Sequence, residues 1–198
     1  MADGLAPRSA LAEAVFPRGR SGILGDRPGV VVEEILPAGA ASLEAHRDRL
    51  PALLEAAQKN FGLALPMQPR WEEGGGMRAI WTGPKRWLVL GPADTATILR
   101  GELGDAASIA DQTDARVILT VSGARARDAL AKGIGIDLHP SAFRTGDAAV
   151  TQAARMAVTL WQLDDTPAYA LAVARSYAGS LAEWLAGAAA EFGLLVVG

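Results

Sequence analysis

His46 and His139 are the only imidazoles in a chain of 198 residues that contains no cysteine. The missing thiol excludes a cysteine nucleophile, thiolate metal ligation, iron–sulfur ligation and disulfides together, and two histidines are too few for a histidine-rich metal site. His46 falls in the charged run Glu44-Ala45-His46-Arg47-Asp48-Arg49, where a solvated ring is expected. His139 enters a loop in Asp137-Leu138-His139-Pro140. Asp137 is close enough in sequence to orient the imidazole, so His139 is either a base or a ring tied to backbone. Ser122-Gly123 and Ser176 lie outside any G-x-S-x-G turn. The pairs Glu33-Glu34 and Asp164-Asp165 do not suit a metal: neighbours on a strand point to opposite faces, and Asp164-Asp165 reads as a hairpin turn. Gly133-Ile134-Gly135 runs on as Ile136-Asp137-Leu138 and does not complete G-x-G-x-x-G. Gly74–Gly76 follows Glu72-Glu73, whose charge repels phosphate, and reads as a flexible loop.

Three features remain. Trp81 and Trp87 flank a turn in Trp81-Thr-Gly-Pro84-Lys-Arg-Trp87-Leu, and Trp161 occupies the corresponding hairpin further on. Such tryptophans either pack a core or, being enriched at the centres of protein interfaces, meet a partner. Arg175-Ser176 joins a strand to a helix, and a helix N-terminus reinforced by arginine attracts anions; the plainer reading ties Arg175 to a nearby carboxylate. Asp111-Gln112-Thr113 is a polar turn with Asx-type capping ahead of a strand.

The elements that would carry these residues follow from pattern. Gly29–Leu36 is β-branched and reads as a strand ended by Pro37. Pro51 opens a helix through Leu53, Leu54, Ala57 and Phe61, stopped by Gly62. Residues 62–76, with two prolines and three glycines, read as a loop. Strands are expected at Met77–Thr82, Arg86–Leu90 and Ala106–Ala110, with a helix at 93–103 between the last two. The order then repeats: a strand at Arg116–Val121, a helix through Leu130, a loop at 133–146, and a hairpin at 157–163 and 168–174. A helix capped by Ser176 follows to Phe192, and Leu194–Val197 is a last strand. Two β-α-β-β-α-β runs, 29–110 and 111–198, predict an α+β fold. Its two ferredoxin-like units share one core, have mainly antiparallel sheets, and follow residues 1–28, which read as an arm draped on the surface or as a frayed tail.

Half of the residues are apolar and 21% are charged, which favours a packed core over disorder. The net charge of −3 and the lack of a basic run argue against nucleic acid. No apolar stretch approaches the roughly 18 residues of a membrane span, and the N-terminus lacks a signal-peptide pattern, so a soluble cytoplasmic protein is expected.

The second half carries a resemblance. Asp111-Gln112-Thr113, the run Leu119-Thr-Val-Ser-Gly123-Ala-Arg125 with its continuation to Lys132, and Ile136-Asp137-Leu138-His139-Pro140-Ser-Ala-Phe143-Arg-Thr-Gly146 resemble the γ subunit of heterotetrameric sarcosine oxidase. The hairpin around Gly83-Pro84 and the stretch from Val173 through Arg175, Ser176 and Trp184 are similar as well. The likeness covers roughly residues 25–193, and Ile136–Gly146 is its most specific part.

The resemblance implies a complex that oxidises sarcosine to glycine, reduces O2 to hydrogen peroxide and passes the one-carbon unit to tetrahydrofolate. The α and β subunits would hold FAD, FMN, NAD and the folate site, and δ would hold zinc. The γ subunit is similar in fold to the first part of folate-binding aminomethyltransferases and brings no cofactor of its own. This chain would then be an accessory subunit bracing α and β, with Trp81, Trp87, His139, Pro140 and Phe143 as candidate partner contacts. A stand-alone folate or pterin binder, with Arg175 and Ser176 holding an anionic tail, is the alternative. Stand-alone folate-binding relatives carry K-G-C-Y-x-G-Q, whereas residues 144–152 read Arg-Thr-Gly-Asp-Ala-Ala-Val-Thr-Gln. A homodimeric scaffold is a third reading.

Overall fold

The computed structural model describes residues 9, 11, 19–22, 27–36 and 38–197. In chain order these form β1 (Gly19–Ser21), β2 (Val30–Ile35), β3 (Gly39–Ala45), α1 (Leu50–Phe61), β4 (Trp71–Gly74), β5 (Met77–Gly83), β6 (Arg86–Gly91), α2 (Thr95–Leu103) and β7 (Ala107–Asp111). There follow β8 (Arg116–Ser122), α3 (Ala126–Ala131), β9 (Ala148–Ala153), β10 (Met156–Asp164), β11 (Ala168–Ala174), α4 (Ala178–Ala189) and β12 (Leu194–Val197). The fold is α+β with mainly antiparallel sheets. The arm expected over 1–28 lies mostly outside the described residues; within it, β1 pairs antiparallel with β12.

The strands make two sheets. One has the order β4-β5-β6-β3-β7, the other β1-β12-β2-β8-β11-β10-β9. In the smaller sheet, β3-α1-β5-β6-α2-β7 is a complete split β-α-β unit with neighbours β5-β6-β3-β7, and β4 extends its edge. The opening strand of this unit is β3, where no strand is expected from the sequence. Residues 30–36, assigned to that place by their β-branched character, go elsewhere. As β2 they insert between the first and last strands of the second unit, β8-α3-β10-β11-α4-β12. There β2 runs parallel to β12 (Val30 opposite Leu194) and antiparallel to β8 (Ile35 opposite Ile118). Val30 and Val32 are fully buried there, which stabilises the fold by about 1.5–3 kcal/mol per side chain.

The apolar interior has three layers. Alternate residues of the larger sheet, such as Val117, Leu119 and Val121, pack on Leu130 of α3 and on Leu181 and Leu185 of α4. Leu43, Val89 and Trp87 of the smaller sheet pack on Leu53 of α1 and Leu99 of α2. The remaining faces of the two sheets meet each other through Ile80, Leu88, Ile118, Ala148, Trp161, Ala170 and Ala172. The order is therefore helix, sheet, sheet, helix, and the middle layer joins the units.

Local chemistry explains most of the elements. α1 has Pro51 in its first turn, and Gly62 ends it in the left-handed region (φ 61°), where its N–H reaches the Gln58 carbonyl at 2.9 Å. The expected loop at 62–76 contains β4. Gly75 and Gly76 form the tight turn between β4 and β5, where a Cβ on Gly74 or Gly75 would stand 2.0 Å from a carbonyl oxygen at the end of α1. Ser176 does not cap α4. It lies in a 3-10 turn, Arg175–Tyr177, and the helix starts at Ala178 without a side-chain cap. The helical run to Phe192 finishes as a second 3-10 turn, Ala190–Phe192. Asp164 accepts the Thr166 N–H at 2.8 Å, which makes the acidic pair the hairpin turn its composition predicts.

β3 is built from small residues because its surroundings leave no room. A Cβ on Gly39 would stand 2.0 Å from the Pro92 carbonyl oxygen, and Ala40 and Ala41 are fully buried. Gly39→Ala is expected to destabilise the chain by roughly 1–3 kcal/mol through overpacking against backbone. Chemical denaturation of both forms measures this.

Candidate functional site

The two units are joined by residues 112–115, and this link is pinned at both ends. The Gln112 N–H donates to the Ala40 carbonyl at 2.8 Å, and the Thr113 hydroxyl accepts the Ala40 N–H at 3.0 Å. The Asp111 carboxylate accepts the Thr113 N–H at 2.8 Å. That backbone hydrogen bond is the largest cause holding the Asp111 carboxyl below its ordinary value; the Thr113 side chain and the nearby Arg100 charge act in the same direction, and slight burial opposes them. The Ala115 and Arg116 N–H groups both donate to the Gln112 carbonyl and turn the chain into β8.

Beside this link the sheets part. Trp161 fills one end of the middle layer, where it is wholly buried, and Trp71 closes that end by donating its Nε1–H to the Gln162 carbonyl at 2.8 Å. At the other end β10 presents Ala157, Val158 and Thr159 to the gap. A cleft of about 290 Å3 remains, lined by Ser42, Thr82 and Leu88 from the smaller sheet and by Arg116, Val150 and Thr159 from the larger. Gln112 lines it too and accepts the Arg116 Nε–H at 3.4 Å. A second cleft of similar size adjoins it over Ser42, Thr82, Arg86 and Ser108. A shallower groove of about 490 Å3 runs between Gln68–Arg70 and residues 136–149, floored by Ile136, Phe143 and Ala148.

The residues singled out from sequence do not converge. Trp87 is buried beside α1 and α2, its Nε1–H donating to the Pro66 carbonyl at 2.8 Å, so of the two alternatives core packing holds for it. Trp81 lies opposite it in the hairpin and is half-buried. Phe143 is buried against the larger unit's core and lines the groove. His139 and Pro140 are exposed on the loop before β9. Asp137 accepts the backbone N–H of His139 at 2.8 Å and does not orient the ring, which instead meets the Ser141 hydroxyl through Nδ1 at 2.8 Å. His46 is exposed, with the Ser108 hydroxyl at 3.1 Å from Nε2. Arg175 and Ser176 are exposed on the 3-10 turn. Glu33 faces solvent while Glu34 is partly buried and accepts a hydrogen bond from Ser9, as opposite strand faces require. Among the described residues no group of three or more His, Asp and Glu side chains is placed to hold a metal. The Arg116 cleft was not anticipated. Its one sequence signal is the alternation of Arg116, Thr120 and Ser122 with apolar residues along β8.

Fold and surface together define a two-unit ferredoxin-like protein with two adjoining clefts near its 112–115 link and a loop-lined groove along residues 136–149. Residues 46–191 match the family described as "Sarcosine oxidase, gamma subunit family". Sarcosine oxidase subunit gamma of Corynebacterium sp. (strain P-1) is 34% identical over 146 residues, covering 71% of this chain and 70% of that protein. The Arthrobacter sp. subunit gamma is 31% identical over 173 residues, covering 83% and 80%. Among solved structures, a chain of heterotetrameric sarcosine oxidase from Corynebacterium sp. U-96, in complex with pyrrole 2-carboxylate, superposes with a TM-score of 0.75 at 25% identity over 86% of this chain and 88% of that one. Aminomethyltransferase T of the glycine cleavage system from Bartonella henselae shares the fold (TM-score 0.60, 16% identity), covering 87% of this chain and 48% of that one. The chain belongs to the sarcosine oxidase gamma subunit family.

The lowered Asp111 carboxyl has a signed consequence. The link gains stability above the unfolded carboxyl value, about 3.9, and loses it as pH falls through the lower folded value. Carbon-detected titration is expected to place the Asp111 midpoint below the ordinary Asp value, and Thr113→Ala is expected to move it back upward.

Proposed function

We propose that this chain is the non-catalytic assembly subunit of a heterotetrameric sarcosine oxidase, working beside α, β and δ subunits. The observation that supports the reading most is the match, over 86% of the chain, to a chain of the Corynebacterium sp. U-96 complex. In this reading the complex oxidises sarcosine to glycine with O2 and tetrahydrofolate, giving hydrogen peroxide and methylene-tetrahydrofolate. FAD, FMN, NAD, tetrahydrofolate and zinc reside on the partner subunits, and the complex works in the cytoplasm.

The scattered placement of His139, Ser122, Ser176 and the acidic pairs agrees with a supporting role, since acid–base and nucleophilic chemistry need their groups within hydrogen-bond reach of one another. We assign the partner contact to the loop carrying His139 and Pro140 and the groove beside it. Ile136, Phe143 and Ala148 offer an apolar floor there, and the ion pair of Arg70 with Asp147 (2.9 Å) forms a polar rim, the usual anatomy of an interface. The half-buried Trp81 is a further contact of the same proposal.

Co-expression with the other three subunits, followed by size-exclusion chromatography, tests this. The chain is expected to elute with them, and elution by itself counts against the role. Ala142, exposed at the mouth of the groove, provides the local test. Ala142→Glu is expected to reduce co-elution roughly ten-fold by leaving a charge desolvated in the contact, while the melting temperature of the isolated chain stays unchanged.

A further inference from the structure

We infer that the Arg116 cleft is a binding site for a small carboxylic acid with an apolar body, a role separate from assembly. The inference rests on the Arg116 side chain. It is half-buried and projects from the first position of β8 into the gap between the sheets. Its one hydrogen-bond partner among the described residues is Gln112, a neutral amide at 3.4 Å. Arg70, Arg78, Arg86 and Arg125 each lie against a carboxylate, and Arg100, Arg127 and Arg144 are held by neutral oxygens, but of all these only Arg86 lines a cleft beside this one. A guanidinium placed in a cleft without an anion offers a planar fork of donors shaped for a carboxylate.

The rest of the cleft suits such a ligand. The Thr82 and Thr159 hydroxyls line it and make no hydrogen bond to another described residue, and Thr159 is buried. Ser42 adds a hydroxyl whose bond to the Ala110 carbonyl is long, at 3.4 Å. These groups donate to a carboxylate oxygen on the side away from Arg116. Leu88, Val158 and Val150 supply apolar wall, and Val150 stands at the rim with half its surface exposed although it is a large aliphatic side chain. A volume of about 290 Å3 admits a single ring or a short branched chain. The small Ala157 side chain leaves the gap open here, where the other end of the layer is filled by Trp161.

Benzoate is the probe, with benzamide as its uncharged counterpart, titrated into the isotope-labelled full-length chain and followed by two-dimensional NMR. Benzoate is expected to shift the Arg116 side-chain resonance and the amides of Thr82, Gln112 and Thr159, with half-saturation at or below about 10 mM, the range open to a ligand held by one charge-assisted pair. Benzamide and the Arg116→Gln variant are each expected to weaken binding by roughly ten-fold or more, the worth of a hydrogen bond to a charged group. Ala157→Phe, which fills the gap and leaves Arg116 in place, is expected to block binding as well, so the test survives if Arg116→Gln fails to fold. Absence of shifts, shifts away from the cleft, or equal binding of benzamide overturns the inference. The same titration on the assembled complex separates the source of the carboxylate. Retained binding supports a free acid. Binding lost on assembly assigns the cleft to a carboxylate of a partner subunit and overturns the free-acid form.

Discussion

The insertion of β2 between β8 and β12 is the constraint on which the architecture depends. A strand that precedes the first unit in the chain hydrogen-bonds on both sides within the second. The chain must therefore leave the larger sheet at Ile35 and open the smaller sheet at Gly39, and it returns to the larger one at Arg116. Two crossings tie the units, one between the end of β2 and the start of β3 and one through the pinned Gln112–Ala115 link. With both ends held, the two sheets face each other through a layer that includes the fully buried Trp161. The Arg116 cleft follows from the same geometry. Its walls come from both sheets, and its cation sits where the second crossing enters β8.

Where the chain could be read locally, the sequence was informative. α1 shows both its start and its stop, because proline at the first turn and a left-handed glycine at the end are intrinsic backbone preferences. The hairpins β5-β6 and β10-β11 announce themselves through alternation and turn residues. The strands that escape notice share a physical cause. β3 is Gly-Ala-Ala-Ser-Leu-Glu-Ala, with Gly39 held against the Pro92 carbonyl, and it lacks the β-branched bulk that marks a strand. β4 and β9 border their sheets and carry the polar and small residues that keep an edge from pairing further.

The partner of β2 is a different kind of information. Val-Val-Val fits an interior strand of either sheet, and nothing in six residues says which one. That choice is made by long-range pairing, which local propensity does not encode. The candidate site was hidden for the same reason. Arg116 ends a polar turn in the sequence and reads as an ordinary strand start. Its meaning arises when Thr82 and Ser42, more than thirty residues upstream, are brought across from it with Thr159 of β10 beside them. Family resemblance reached further than residue chemistry here. The run Ile136–Gly146 resembles an oxidase subunit although its one imidazole, His139, meets only Ser141 among the described residues, and in the structure the run borders the loop-lined groove.

Native-state hydrogen exchange of the full-length chain tests the central claim, that β2 locks two units into one body. The account predicts that the β2 amides bonded to β8 and β12 exchange only with global unfolding, at the same free energy as the central amides of β6 in the other sheet. A β2 that exchanges through a separate opening, well below the free energy of β6 and β8, would contradict it.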